Sequence, residues 1–124
     1  MKLEEGMYVR TKVGKIAKII NKYDNSGSLH NENFVWVLDD SSVLALHSQK
    51  AVKASYNLID LIEKGDYVNG KRVYNISIVD GLKYLDVEVE DYLSDMPFIN
   101  ADQIESIVTK EQFENKKYEV IKND

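Results

Sequence analysis

Short runs of alternating apolar and polar residues dominate this chain and read as β-strands. In the first half they are Ile16, Ile19 and Ile20, then Phe34-Val35-Trp36-Val37-Leu38 and Val43-Leu44-Ala45-Leu46, with the turn Asp39-Asp40-Ser41-Ser42 between the last two. In the second half they are Val73, Ile76 and Ile78, a strand from Tyr84 to Glu90 entered by the turn Asp80-Gly81, and Phe98-Ile99. The two halves also open alike: Leu3-Glu4-Glu5-Gly6-Met7-Tyr8-Val9-Arg10 is echoed 59 residues later by Ile62-Glu63-Lys64-Gly65-Asp66-Tyr67-Val68-Asn69. In each, a glycine in a tight turn (Gly6, Gly65) precedes an apolar strand and a second glycine (Gly14, Gly70), which is the opening hairpin of many small SH3-like barrels.

Each half then runs through a polar turn, Gln49-Lys50-Ala51-Val52-Lys53 or Asp102-Gln103-Ile104-Glu105-Ser106, into a brief helix. Asn57 precedes the helical run Leu58-Ile59-Asp60-Leu61-Ile62, and Thr109-Lys110-Glu111-Gln112 fits a capping box. The pattern predicts a mainly β fold, a compact SH3-like barrel fused from two small sheets, with two short helices. It forms a single domain over 1–124, built from echoed halves of about 1–61 and 62–124. Residues 24 to 33, rich in Asn, Ser and Gly, form the one clear mobile loop.

Composition narrows the class. A chain of 124 residues has the size of one domain and buries about two thirds of its unfolded surface, so it folds without cross-links. It has no cysteine, which removes disulfides and thiolate metal sites; with 14 lysines this suits a cytosolic protein. No stretch reaches the roughly 20 apolar residues of a membrane span, and Met1-Lys2-Leu3-Glu4-Glu5 lacks the apolar region of a signal peptide.

Catalytic patterns are missing. His30 and His47 stand in contexts that pair neither with a nucleophile nor with a second metal ligand, and there is no phosphate-binding glycine loop. The acidic pairs Asp39-Asp40 and Glu90-Asp91 read as solvated turns rather than cation sites. The expectation is a non-enzyme with no cofactor and no metal.

Charge layout says more. Arg10, Lys12, Lys15, Lys18 and Lys22 form a basic run with no acid among them, while Asp86, Glu88, Glu90, Asp91 and Asp95 form an acidic run with no base. Residues 1–58 carry +2 and residues 59–124 carry -7, which together give the net -5. Such segregation steers charged partners, and it also fits solvated strand faces. In Asp86-Val87-Glu88-Val89-Glu90 the alternation puts three carboxylates on one face and two valines inward. Arg10 and Arg72, the only arginines, are candidate anion contacts or surface ion-pair partners. Trp36, Tyr84 and Phe98 are candidate stacking residues, with Tyr8 and Tyr67 in the echoed strands, although strand aromatics also serve as core.

The blocks Asn57 to Gly70, Ile104 to Glu114 and Glu5 to Thr11 resemble small phage and prophage accessory proteins of Firmicutes. They cover about a quarter of the chain. The fold read here is also similar to the first family of Thoeris anti-defence sponges, compact oligomeric β proteins that sequester cyclic ADP-ribose or cyclic oligonucleotide signals. These resemblances imply a phage protein acting in the cytoplasm of the infected bacterial host, as a homo-oligomer, away from membranes. That sponge family uses late-chain basic residues, for which this sequence offers Lys110, Lys116 and Lys117 and no arginine.

Three readings stand. One is a non-catalytic sponge that holds a cyclic nucleotide or ADP-ribose-type signal through Arg10, Arg72, Trp36, Tyr84, Phe98 and Lys110. Another is a protein inhibitor, anti-CRISPR-like, whose Asp86, Glu88, Glu90 and Asp91 mimic nucleic-acid phosphates against a basic groove of a host defence protein. The last is direct nucleic-acid binding through the basic hairpin, which the net charge opposes.

Overall fold

A computed structural model describes residues 2–24, 34–45, 50–91 and 95–116. The chain separates into two compact units, Met1–Ile62 and Glu63–Asp124, one residue away from the boundary drawn from the echo. The fold is mainly β, as the pattern predicts.

The first unit contains β1 (Tyr8–Thr11), β2 (Ile16–Asp24), β3 (Phe34–Leu38), β4 (Val43–Ala45) and β5 (Ala51–Ser55), followed by a 3₁₀ turn, Leu58–Leu61. The second contains β6 (Tyr67–Val68), β7 (Lys71–Val79), β8 (Leu82–Val87), β9 (Phe98–Asn100), a 3₁₀ turn Ala101–Gln103, β10 (Ile107–Val108) and α1 (Lys110–Lys116). The antiparallel sheets run β4-β3-β2-β1-β5 and β10-β6-β7-β8-β9. Numbered within its own unit, each follows the same order, 4-3-2-1-5: a meander whose fifth strand returns to the first, as in an SH3-like barrel. Each unit thus holds one five-stranded antiparallel sheet.

The long second strand explains how each unit curls. A bulge between Ile19 and Asn21 in β2, and another between Val73 and Asn75 in β7, shifts the register. The extra residue bends the strand, so its start pairs with the first strand and its end with the third. The two bends are held alike. Gly6 N–H donates to the Ile19 carbonyl and Ile19 N–H to the Met7 carbonyl, both 2.8 Å, while Gly65 N–H donates to Val73 and Val73 N–H to Asp66, also 2.8 Å. Ile19 therefore corresponds to Val73, 13 residues after its glycine in the first unit and 8 in the second. The second unit shortens this hairpin to a two-residue turn, Asn69-Gly70, with both residues left-handed (φ 54° and 79°). Asp80-Gly81 closes β7 to β8 in the same way.

Alternation sets the cores. Val9, Ala17, Ile19, Leu38 and Leu44 form the first, with Leu3, Met7, Trp36, Ala51 and Ala54 packed on it. In the second unit Val68, Val73, Leu85, Val87 and Ile99 are buried.

Three local expectations change. Residues 49–53, expected as a polar turn, give way from Ala51 to β5, which pairs with β1 through Tyr8 opposite Ser55 and Val9 opposite Ala54. Its core-facing residues are small alanines, so its apolar signal is weak. The strand read from Tyr84 to Glu90 ends at Val87. The first helix is 3₁₀; Asn57 stands at its N-cap but its side chain makes no capping bond, and the Ser55 hydroxyl accepts Asn57 N–H at 3.0 Å and donates to Asp60 at 2.7 Å. The Thr109 capping box is present in full, with Thr109 N–H to Gln112 Oε1 at 3.2 Å and Gln112 N–H to Thr109 Oγ1 at 3.3 Å. The loop read over 24 to 33 lies outside the described residues beyond Asp24.

Candidate functional site

The outer face of β7, β8 and β9 is where predicted ligand residues meet. Because Val79 pairs with Leu82, Ser77 with Tyr84, and Asn75 with Asp86, these side chains share one face, opposite buried Leu85 and Val87. Register with β9 adds Phe98 opposite Asp86. Ser77, Val79, Tyr84, Asp86 and Phe98 line a shallow cleft of ≈ 250 Å³. Val79, Leu82 and Phe98 remain 54%, 61% and 51% exposed, so this is an apolar surface facing solvent.

Among the described residues Asp86 is the one charge in the cleft wall, and it is oriented. Ser77 Oγ donates to its Oδ2 at 2.7 Å and Asn75 Nδ2 donates to the same oxygen at 3.1 Å. Oδ1 receives no hydrogen bond from a described residue.

Two residues further along the strand direction, Glu88 closes a larger, polar cleft of ≈ 520 Å³ with Arg72, Tyr67, Lys71, Glu90 and Asp95. Arg72 Nη1 donates to Glu88 Oε1 at 2.8 Å, and Glu88 N–H donates to the Arg72 carbonyl at 2.9 Å. The first unit repeats this pairing of second-strand cation with post-strand acid: Asp39 N–H donates to the Lys18 carbonyl at 2.9 Å, and Lys18 N–H to Asp39 Oδ1 at 3.1 Å. Arg72 thus belongs to a structural repeat shared by both units. Asp91 is exposed, and its carbonyl accepts Asp95 N–H at 2.8 Å.

The remaining predicted cations are also engaged within the protein. Arg10 is fully buried, and its Nη1 donates to the Leu61 carbonyl at 3.0 Å, fastening the 3₁₀ turn beneath β1. Lys110 Nζ lies 2.7 Å from Glu63 Oε1; that hydrogen bond raises the lysine above its ordinary range. In the basic run, Lys15 reaches Asp40 at 2.6 Å and also contacts the Ser42 hydroxyl, and Lys18 sits 5.7 Å from the centre of the Tyr8 ring. Lys15 and then Ser42 hold the exposed Asp40 carboxyl well below the usual carboxylate range. Trp36 is half-buried against the first core, with Nε1 turned inward. Tyr67 stacks on Phe113 of α1 at 4.7 Å.

Sequence reasoning missed Asp66. It is fully buried, its Oδ2 accepting Glu63 N–H at 2.7 Å and its Oδ1 accepting Lys110 N–H at 2.9 Å, so one carboxylate ties the opening turn of the unit to the start of α1. The available signal was a charge at an echoed position where the first half has Met7.

Among the described residues no group of three or more His, Asp or Glu side chains gathers as a metal site, and no helix is long and apolar enough to cross a membrane. His30, His47 and Lys117 lie outside the described residues, as does the side chain of Lys116. Set against protein-family models, curated proteins and solved structures, the chain matches none.

Proposed function

We propose that this chain is a non-catalytic binding protein that engages a basic surface of a partner protein through the outer face of β7, β8 and β9. The observation that carries the reading is the combination on one face of exposed Val79, Leu82 and Phe98 and half-buried Tyr84 with the oriented carboxylate of Asp86. Exposed apolar area supplies the driving force for association, and the exposed acidic residues that follow β8, Glu90 and Asp91, favour positive charge. The second unit sums to -6 over residues 63–124 (8 basic, 14 acidic), which favours the same partners. With the phage resemblance, the partner is a host defence protein in the cytoplasm of the infected cell, and the chain acts as its inhibitor.

The test is capture from host extract by the intact chain and by a Phe98→Ala, Asp86→Lys double variant. The reading requires a protein retained by the intact chain, released by salt and lost with the variant. An unchanged set of retained proteins refutes it.

The sponge reading keeps one specific support, the convergence of Tyr84 and Phe98 on a single cleft where a planar ring can stack. Its cations are the weaker part, since Arg10, Arg72 and Lys110 all have protein acceptors. Thermal shift with cyclic ADP-ribose isomers and cyclic di- and trinucleotides, together with the mass in solution, separates it from protein capture. An oligomer stabilised by one of these compounds favours the sponge.

A further inference from the structure

We propose that Asn69-Gly70 is a self-modification site, where deamidation is held off by the native fold and proceeds only in molecules whose residues 103–106 have come away from the turn. What the chain binds does not enter. Asn69-Gly70 is the one Asn-Gly pair in the sequence. In such a pair the glycine nitrogen attacks the asparagine side-chain carbonyl carbon, with no Cβ on the glycine to obstruct it. A bond forms between Gly70 N and Asn69 Cγ, the bond from Cγ to Nδ2 breaks, and ammonia leaves with the proton from Gly70 N, giving a cyclic imide. Water then opens the ring at either carbonyl, to aspartate or isoaspartate, so one water is taken up and one ammonia released.

That attack needs the Asn69 side chain to swing over its own peptide bond, and here both of its polar atoms are held elsewhere. Nδ2 donates to the Gln103 carbonyl at 2.8 Å, and Oδ1 accepts Glu105 N–H at 2.8 Å and Ser106 N–H at 3.0 Å. Two backbone donors at one atom and a carbonyl at the other fix which is oxygen and which nitrogen. Asn69 N–H adds a fourth bond, to the Ser106 carbonyl at 2.9 Å, beside the pairing of β10 with β6. The turn itself does not require this tether, because Asp80-Gly81 adopts the same left-handed pair (φ 53° and 79°) with Asp80 exposed. Nor can the product restore it. Aspartate sets a carboxylate oxygen against the Gln103 carbonyl, and isoaspartate adds a carbon to the main chain of a two-residue turn, which disturbs the register of Val68 with Lys71. Deamidation is thus a one-way mark on molecules that have opened at this point.

Timed incubation of the full chain in mildly alkaline buffer, folded and in denaturing urea, tests this, with peptide mass spectrometry counting Asn69 against aspartate and isoaspartate. The folded chain should deamidate at Asn69 about tenfold or more slowly than the unfolded one. Glu105→Pro removes one donor to Oδ1 and suits the extended backbone of Ile104 before it (φ -73°, ψ 118°); it should speed the folded reaction about threefold or more. Chain deamidated in urea and returned to buffer should lose amide protection at Glu105 and Ser106 while β7 and β8 keep theirs. A folded rate within about twofold of the unfolded one overturns the gate. So does a Glu105→Pro protein that is folded by far-UV circular dichroism yet deamidates no faster, since the turn backbone and not the side-chain tether would then protect Asn69. Unchanged protection of Glu105 and Ser106 in the deamidated chain overturns the one-way mark. If Glu105→Pro does not fold, the comparison of folded with unfolded chain and the refolded product decide without it.

Discussion

Removing the Asp66 carboxylate probes the second unit at the point where its opening turn meets α1. Asp66→Ala leaves two backbone donors, Glu63 N–H and Lys110 N–H, without the oxygens that now lie at 2.7 and 2.9 Å. Hydrogen bonds to a charged acceptor are worth about 1.5–3 kcal/mol each, and an orphaned buried donor carries its own desolvation cost. Allowing for some access of water to Lys110, the expected loss is about 3–5 kcal/mol, a large share of the roughly 5–15 kcal/mol that stabilises an ordinary domain. Asp66→Asn keeps one acceptor oxygen and should lose about half as much. Urea unfolding followed by far-UV circular dichroism gives the total. Amide exchange localises it, and the Glu63 and Lys110 amides should lose protection first. A midpoint shift worth less than about 1 kcal/mol, with both amides still protected, refutes the assignment of Asp66 as the tie between turn and helix.

Gly81→Ala should destabilise by about 1–2 kcal/mol in the same urea assay, because Gly81 sits at φ 79° while a new Cβ meets nothing within 4 Å, so the whole cost is conformational. The Asp40 carboxyl, followed by its carbon-13 shift, should titrate below the usual value near 3.9, and Lys15→Met should bring it back up. A depressed carboxylate contributes stability above its unfolded value that is lost as pH falls through the folded one, so this small contribution disappears in acid. Lys110 runs the other way: its raised value means that the contribution is present below the ordinary lysine range and lost as pH rises through the folded value. Glu63→Gln should return the Lys110 titration toward that of a free lysine, and no movement would count against the ion pair.

Sequence alone carried the repeat because its strongest marks are backbone demands. Gly6 and Gly65 both adopt φ near 90°, and the following Tyr-Val enters the first strand of each unit. The echo loses register after Val68 since the second hairpin is shorter, so Ile19 aligns with Val73 through hydrogen bonds and not through a fixed spacing. β5 was obscured because a strand beside β1 needs only Ala51 and Ala54 toward the core. Tyr84 and Phe98 were legible as aromatics, but their convergence with Ser77 and Asp86 depends on cross-strand register. Arg10 reads in sequence as an anion contact or a surface ion-pair partner, whereas in the fold it is buried and bonded to the Leu61 carbonyl, 51 residues away in the chain. No local pattern encodes that contact.

Binding on the outer face of β7, β8 and β9, as proposed, leaves a footprint on the backbone amides of those strands. Amide hydrogen exchange of the chain with and without its captured partner tests this most directly. The expected result is added protection over β7 to β9, centred on Ser77 to Val79, Tyr84 to Asp86 and Phe98, with protection falling as salt is raised. Protection confined to the first unit, or spread evenly over both, would contradict it.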